Sequence, residues 1–474
     1  MFRFSLFAFF IALNLSLFSQ AFQIDTFIQS SAFQKTNLKI VNSIIIIGNK
    51  TTKEKIILRE LEFHVGDSLT NQGLTEAIFQ SKKNLLNTSL FNFANLNAAL
   101  TDSVNASIII QVTERWYIFP LPIFEIDDNN FNTWWRTKDL SRINYGMYLT
   151  HYNFRGRKEK LILTAKYGFT ERYQIQYEIP YLTRSQKLGL NIDVSYNRRD
   201  EIAYNSLNNE RLQYKDADSD ALRNLSNSIT LTYRNKIFKT HSLTVNYSHN
   251  EVTDSVVRLN ENFLLNNKNR LDYFRLSYQL TSDKRDSRNY PLKGSFWKAS
   301  ITQYGLGIFS DLSLLNLNIE AKKFIEVKPR LYLAGSVRAL LTPNTDQPYL
   351  LRNGLGYSSF GIRSYEYYVI DGQNIGLGRL QLRYQIVKPR SMKLTGISES
   401  FGKFHYAFYL GVFSDFAYVD DHSGYPMNNL ANELQFGHGL GLDFVSYYDI
   451  VIRAEYSFNK FGESGLFLHF VAPI

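Results

Sequence analysis

The chain has 474 residues and no cysteine, which excludes disulfide frameworks, thiolate nucleophiles and cysteine-ligated metals. Its 53 Lys and Arg against 43 Asp and Glu give a net charge of +10. These basic residues alternate with apolar ones and form no basic stripe, so nucleic acid is not an expected partner. The mean hydropathy is −0.24 and the only long apolar run is N-terminal, which excludes a helical membrane protein.

The first 21 residues have the features of a secretory signal peptide. Arg3 supplies a positive charge, the stretch from Phe4 to Phe18 is apolar apart from Ser and Asn, and Ser19-Gln20-Ala21 is a small-x-small cleavage site. The segment is too short and wrongly flanked for a membrane anchor. A buried N-terminal helix is the alternative. After cleavage, residues 22–37 are expected to form a polar tether.

Residues 38–115 predict a small α+β domain in the order β-α-α-β-β. The first helix is expected to be capped by Thr51 or Thr52 and to bury Ile56, Ile57, Leu58 and Leu61. The second carries an apolar stripe. The other expected elements are a strand at Ile40–Ile47, a helix from about Thr70 to Asn87, and strands at about Phe91–Ala99 and Ser107–Thr113.

Residues 116–474 lose helical periodicity and alternate with a period of two. For example, Leu188, Leu190 and Ile192 alternate with Gly189 and Asn191. About sixteen such segments occur, several long enough to cross a membrane at a tilt, and short connections alternate imperfectly with long polar ones. Alternation alone also fits a soluble sandwich. The number and length of the segments favour a closed transmembrane β-barrel in contact with outer-membrane lipids.

Short motifs in the small domain carry a family resemblance. Ile47-Gly48-Asn49-Lys50-Thr51, Gly66-Asp67, Leu90-Phe91 and Gln111-Val112-Thr113-Glu114 follow one another in the order of a polypeptide-transport-associated (POTRA) domain, which this segment resembles. The resemblance implies one such domain in the periplasm, ahead of a barrel.

Three motifs in the second part resemble the BamA/TamA-like outer-membrane assembly and translocation superfamily (bacterial surface antigen family). The segment from Asn289 to Gly294, with Tyr290, Pro291 and Gly294, is similar to the turn before the ninth barrel strand of that family. Ile362-Arg363-Ser364-Tyr365 resembles its Val-Arg-Gly-Phe signature, with Ser364 in the glycine place and Tyr365 in the aromatic one. Asp371-Gly372-Gln373-Asn374 resembles the opening of its twelfth strand.

The resemblance implies a 16-stranded barrel whose sixth loop folds into the lumen, where Arg363 meets acidic groups on the wall. Asp415, in the expected thirteenth strand, occupies the family's acidic position and faces the lumen by alternation. The family's second acid is replaced by Gln381, between Arg379 and Arg383, so an arginine–acid pair is expected in place of a triad. The alternative for Arg363 is an exposed loop charge.

The junction of the first and last barrel strands is a candidate gate. The first strand, expected from Trp116 to Ile126, contains Pro120 and Pro122, which remove two donors on the side of one neighbour. The last strand, expected from Gly465 to Ile474 and including Phe470, ends in Ala472-Pro473-Ile474. A weakly paired seam could open and pair with an incoming strand. Alternatively, the prolines only shape the linker.

The expected function is outer-membrane protein assembly, insertion or translocation, with the small domain docking unfolded client polypeptides. A single such domain suggests a specialised or accessory member, with periplasmic or lipoprotein partners. A passive, porin-like channel is the alternative. A lipid-active or proteolytic barrel enzyme is less well supported, because Gly356-Tyr357-Ser358-Ser359-Phe360 lacks the second glycine of a nucleophile elbow and the 8 His are scattered. No catalytic residue, cofactor or metal is expected.

Overall fold

The computed structural model describes residues 38–471, except 101–103, 128–132, 136–137, 184, 186, 217–218, 310–311, 344–346, 357–360, 394–402, 423–427 and 447–449. The expected signal peptide (1–21), the tether (22–37) and Ala472-Pro473-Ile474 lie outside these ranges. The described residues form a small N-terminal domain and one large antiparallel sheet.

The small domain has the expected order with one addition, a three-residue strand between the helices. Its sheet has the order β2-β1-β4-β3, and the alternating residues of β4 are buried against the helices. The elements are β1 (Leu38–Ile47), α1 (Glu54–Leu58), β2 (Ser68–Thr70), α2 (Asn71–Asn87), β3 (Phe91–Leu100) and β4 (Asn105–Glu114).

Helix α1 is shorter than predicted, and Thr51 and Thr52 do not cap it. Its N-cap residue is Lys53, because the amides of both threonines donate to the Glu114 carboxylate at the end of β4. Leu61 lies beyond the helix but is 2% exposed, so it still belongs to the core. Thr70 does cap α2, accepting a hydrogen bond from the Gly73 amide.

The large sheet has sixteen strands, and each pairs with the next in sequence. This confirms the predicted 16-stranded antiparallel architecture. The strands are β5 (Ile118–Ile126), β6 (Ile143–Phe154), β7 (Glu159–Gly168), β8 (Thr170–Ile179), β9 (Leu188–Arg199), β12 (Leu222–Lys236), β13 (Lys239–Val252), β14 (Arg270–Asp283), β15 (Gly294–Tyr304), β16 (Leu314–Lys328), β17 (Leu331–Leu341), β20 (Asn374–Lys393), β21 (Lys403–Asp420), β22 (Leu434–Ser446), β23 (Val451–Asn459) and β24 (Ser464–Val471).

The connections differ at the two ends of the barrel. The small domain contacts turns such as residues 155–158, and we call this end the domain side. The opposite loop side carries the longer connections. These contain the hairpin of β10 (Glu201–Leu207) and β11 (Glu210–Lys215), α3 (Asp254–Leu259), and the segment 342–373, called loop 6, with β18 (Asn353–Leu355) and β19 (Ile370–Gly372).

Burial alternates along the strands as predicted. In β21, Leu410 and Val412 are each 48% exposed, whereas Phe413 and Asp415 are 5% and 0% exposed. The outward face is therefore apolar and the inward face collects the polar groups, as lipid on one side requires. No helix in the described ranges is both long enough and apolar enough to cross a membrane.

Candidate functional site

Loop 6 folds into the lumen and places Arg363 against Asp415 on β21. The Arg363 Nε donates to Asp415 Oδ2 at 2.8 Å, its Nη2 donates to Oδ1, and its backbone amide donates to Oδ2 at 3.2 Å. The guanidinium carbon lies 3.7 Å from the centre of the Phe413 ring. Arg363 is 9% exposed, so the alternative of a solvated loop charge does not fit. A bidentate, desolvated pair of this kind fixes both position and orientation.

The expectation that Arg363 would keep a single acidic partner is wrong. Its Nη1 donates to Glu455 Oε1 at 3.3 Å, and Glu455 is 1% exposed. Glu455 projects inward from β23, so the second carboxylate comes from the fifteenth strand of the barrel. In the sequence, Arg453 and Glu455 form the polar face of an alternating strand, but alternation does not say which loop that face will meet.

The backbone of loop 6 rests directly on β22. Ser364 has a φ of +77°, in the left-handed region where glycine is favoured and a side chain costs roughly 1–2 kcal/mol. Tyr365 is 2% exposed, and its hydroxyl lies 3.1 Å from Gln435 Oε1. A Cβ at Gly437 would lie 2.1 Å from the Arg363 carbonyl oxygen. Glycine at 437 is therefore what allows the loop to approach the wall.

Replacing Gly437 with alanine is expected to displace loop 6 and to lower barrel stability by about 1–3 kcal/mol, the usual range for overpacking. Gly441→Ala is the matched control on the same strand, because its nearest contact would be Glu455 Cγ at an ordinary 3.4 Å. The control should be neutral or more stable by up to about 1 kcal/mol. Thermal unfolding followed by gel mobility checks both variants, and an equal response would contradict the close approach.

Three polar residues of β20, Arg379, Gln381 and Arg383, face the lumen near loop 6 and the domain-side turn. Arg379 Nε lies 3.5 Å from Asp415 Oδ2, and its Nη2 donates to the Gly361 carbonyl oxygen in loop 6. Gln381 accepts a hydrogen bond from Arg383 Nη2 at 2.9 Å. Gln381 thus faces the lumen as predicted, but its oxygen is used by Arg383 and makes no contact with Arg363 among the described residues.

The domain-side turn between β14 and β15 also folds into the lumen. The Tyr290 hydroxyl donates to Asp443 Oδ2 at 2.6 Å, and its ring lies 4.8 Å from that of Tyr409. Arg383 donates to the Pro291 carbonyl oxygen at 3.3 Å. Gly294 closes the turn with a φ of +106°, where a Cβ would lie 2.1 Å from the Lys284 carbonyl oxygen. The turn motif therefore packs against strands on the other side of the lumen.

A continuous polar chain joins this turn to loop 6. Tyr290 contacts Asp443, and Arg453 bridges Asp443 to Glu455 through contacts of 2.6 Å and 3.7 Å. Glu455 in turn meets Arg363. Because these charges are buried, removing one of them leaves its neighbours uncompensated.

The orientation of β5 can be read from hydrogen bonds at its two ends. The Tyr152 amide donates to the Tyr117 carbonyl at 2.7 Å, and the Asp127 amide donates to the Arg142 carbonyl at 2.8 Å. Hydrogen-bonded positions alternate along an antiparallel strand, so the odd-numbered residues of β5 bond to β6. The even-numbered residues turn their backbone groups to the opposite edge.

Pro120 and Pro122 are even-numbered, so both missing donors lie on the edge that faces away from β6. The carbonyl of Ile118 on that edge accepts from the Trp116 indole. The orientation of β24 follows from the hydrogen bond between the Asn459 amide and the Glu463 carbonyl, 3.0 Å long. Because hydrogen-bonded positions alternate, the odd-numbered residues of β24 direct their backbone groups to β23. Phe470, paired in register with Ile452, therefore directs its backbone away from β23.

The two ends of the sheet converge on loop 6 without an intervening ladder. Among the described residues, no ladder joins β5 to β24. Thr133, after β5, donates to the Glu366 carbonyl oxygen at 3.2 Å, and His469 of β24 lies 3.7 Å from the Glu366 carboxylate. Loop 6 thus spans the first-to-last seam from inside the lumen.

Glu366, Glu455 and His469 could together offer ligand atoms within 4.8 Å of one another. Arg363 and Arg453 both contact Glu455, so its charge is already balanced by guanidinium groups. The cluster is better described as part of the ion-pair chain than as a metal centre.

A second buried ion cluster joins the small domain to the barrel. Glu60, which follows α1, is 2% exposed and accepts hydrogen bonds from the Tyr181 hydroxyl at 3.0 Å and from Arg234 Nη1 at 3.2 Å. Lys158 Nζ lies 3.8 Å away. Burial acts to raise the pKa of Glu60, but the charges of Lys158 and Arg234 outweigh it and hold the pKa below its ordinary value. We call these four residues the docking cluster.

The strand count, the inward-folded loop with its buried arginine and the docked α+β domain define a barrel with an attached POTRA-type module. The Omp85 superfamily domain matches residues 153–448, and the chain belongs to this superfamily. The surface antigen variable number repeat, a POTRA domain, matches residues 39–115. Membership of the superfamily associates the chain with protein insertion or translocation at the outer membrane.

Two solved structures share this fold. BamA from Haemophilus ducreyi lacking POTRA domains 1–3 is 16% identical, with a TM-score of 0.53 over 91% of this chain and 84% of that chain. CdiB from Acinetobacter baumannii is 13% identical, with a TM-score of 0.51 over 92% of this chain and 73% of that chain. No curated protein sequence matches the chain closely enough to show a relationship.

Proposed function

We propose that this protein is a non-enzymatic outer-membrane factor that inserts or translocates polypeptides through a lateral gate between β5 and β24. The observation that carries the proposal is the β5 edge, where Pro120 and Pro122 both present a missing donor to the seam. Each absent backbone hydrogen bond forgoes about 0.5–1.5 kcal/mol of net stability. Separating β5 from β24 therefore costs less free energy than separating two fully hydrogen-bonded strands.

An incoming client strand could pair with the edges of β5 and β24 that face the seam. The seam-facing backbone groups of Phe124 and Ile126 on β5, and of Leu466 on β24, are positioned for β-augmentation. Apolar side chains of the same strands are exposed, for example Phe124 at 76% and Leu466 at 67%. A client strand added here would satisfy its own backbone groups within the bilayer.

The small domain supplies the complementary docking surface in this proposal. Its strand β3 forms an edge of the sheet, with Phe93 56% exposed. An unpaired edge next to an exposed aromatic side chain can hold an extended segment of an unfolded client. We place this domain in the periplasm, where clients and periplasmic or lipoprotein partners would reach it before the barrel.

Locking the seam is expected to abolish function. The chain has no native cysteine, so Ile118→Cys with Phe470→Cys gives a unique pair across the seam, closed by thiol cross-linkers of increasing length. Cells relying on the locked barrel should lose client proteins from the outer membrane, as they would after depletion of the protein. The measurement is a quantitative comparison of outer-membrane proteomes.

The matched control is Ile452→Cys with Phe470→Cys, because these residues are paired in register between β23 and β24 and their cross-link does not span the seam. It should leave the outer-membrane proteome unchanged. An unaltered proteome with the seam locked would rule out the gate. If depletion itself changed nothing and purified protein gave large, steady conductance in planar bilayers, a passive channel would replace the proposed function.

A further inference from the structure

A cavity of about 250 Å³ lies in the lumen between the domain-side turn that contains Pro291 and the inward face of β20. Seven of its lining residues are Arg or Lys, and none of those described is Asp or Glu. This volume is more than ten times the roughly 10–15 Å³ that a cavity needs to hold one water, so a small hydrated anion fits. Arg363 and Arg453, which belong to the polar chain from Tyr290, are among its lining residues.

Most of these cations have a carboxylate partner that does not itself line the cavity. Asp415 serves Arg363 and Arg379, while Asp443 and Glu455 serve Arg453. These three arginines line the cavity, whereas none of these three acids does.

Arg383 differs from the others, because no carboxylate oxygen lies within 4 Å of it among the described residues. It is 9% exposed, and its contacts are the Pro291 carbonyl, the Gln381 side-chain oxygen and the Tyr290 ring, 4.8 Å from its guanidinium carbon. Neutral acceptors do not balance a buried positive charge. An anion in the cavity would.

Gln381 provides an independent sign of a ligand. It is 6% exposed and lines the same cavity, and its oxygen is taken by Arg383. Its Nε2 donates to no acceptor among the described residues, and neither does Arg383 Nε. Buried donors in folded proteins are nearly always satisfied. Two such donors on one wall therefore indicate an acceptor that enters the cavity.

We propose that this cavity binds a phosphate group, with Arg383 and Gln381 as direct donors and Arg379 contributing charge. The Arg383 fork matches two oxygens of a phosphate, and Gln381 can donate to a third. Phosphate suits a site with donors on several sides better than a planar carboxylate does. The group could arrive as a free anion or as a lipid headgroup, because the cavity adjoins the domain-side mouth of the barrel.

Calorimetric titration of the full-length protein in detergent tests the proposal, with inorganic phosphate, short-chain dihexanoyl phosphatidate and acetate as probes. Saturable binding is expected for a phosphate probe, weakened at least about tenfold by Arg383→Gln and by Gln381→Leu. The control is Arg275→Gln, a partly buried β14 arginine that does not line the cavity. It should bind as the unmodified chain does.

Binding of both phosphate probes supports a site for the group itself, and binding of phosphatidate alone supports a lipid headgroup. The proposal is overturned if neither phosphate probe binds to protein that shows folded gel mobility, if acetate binds equally well, or if Arg275→Gln causes the same loss. Should Arg383→Gln fail to fold, Gln381→Leu decides the test, because it leaves every charge in place.

Discussion

Barrels carrying Arg363→Ala are expected to unfold at lower temperature and to release loop 6 to protease. The substitution takes the closest guanidinium away from Asp415, which is 0% exposed, and removes one of the cations around Glu455, which is 1% exposed. Asp415 keeps only Arg379 at 3.5 Å, and Glu455 keeps Arg453 at 3.7 Å. Removing one partner of a buried ion pair typically costs 3–5 kcal/mol, in contrast to about 0–1 kcal/mol for a surface pair. Heat-modifiable gel mobility and limited proteolysis of loop 6 measure the two effects.

Arg258→Ala is the control, because this arginine is exposed on α3 and its only contact described is with Ser255. It should change stability by less than about 0.5 kcal/mol. Asp415→Asn should reproduce much of the Arg363→Ala effect, since Glu455 alone would then face the guanidinium. Unchanged melting and unchanged protease resistance in both lumenal variants would show that loop 6 is held by other contacts.

Strand alternation allowed the sheet to be predicted, because lipid outside and polar groups inside impose a period of two on every spanning strand. The same logic placed Asp415 on the lumenal face, five residues beyond the outward-facing Leu410. Tertiary contacts overrode local patterns where the chain met another element. Thr51 and Thr52 look like helix caps, yet their amides are taken by Glu114, so α1 begins only at Glu54.

The lumenal partners could not be predicted from local sequence. Arg363 and Glu455 are 92 residues apart, and the inward folding of loop 6 onto the barrel wall brings them together. The glycines of β22 alternate in a way that suggests packing, but the need for Gly437 appears only when loop 6 lies on it. The resemblance pointed to one acidic partner of Arg363, Asp415. The second partner, Glu455, lies on β23, whereas the resemblance placed the second acid on β20, where this chain has Gln381.

The docking cluster is the clearest example of contacts that could not be predicted from local sequence. Arg59-Glu60-Leu61-Glu62 has the composition of a solvated helix end, and Glu60 is separated from Arg234 by 174 residues. Only the docked arrangement buries this carboxylate between the two domains. Its role is therefore open to a direct experiment.

Glu60→Gln is expected to undock the small domain from the barrel. The substitution leaves Lys158 and Arg234 close together without their shared carboxylate, a loss of about 3–5 kcal/mol for a buried pair. Spin labels on cysteines introduced at Glu76 of α2 and Lys328 at the domain-side end of β16 would report the distance between domains. The expected result is one narrow distance distribution in the unmodified chain and a broad one in the variant.

Acid should have the same effect in the unmodified chain. The folded pKa of Glu60 lies below its ordinary value, so its contribution to docking is complete above about pH 4.5 and is lost as the pH falls through the folded pKa. Glu54→Gln, which removes an exposed carboxylate from α1, should leave both the distance and its pH dependence unchanged. If Glu60→Gln kept the narrow distribution from pH 7 to pH 4, the remaining contacts, such as the Lys53 amide bonded to the Gly156 carbonyl at 2.9 Å, would suffice to hold the domain.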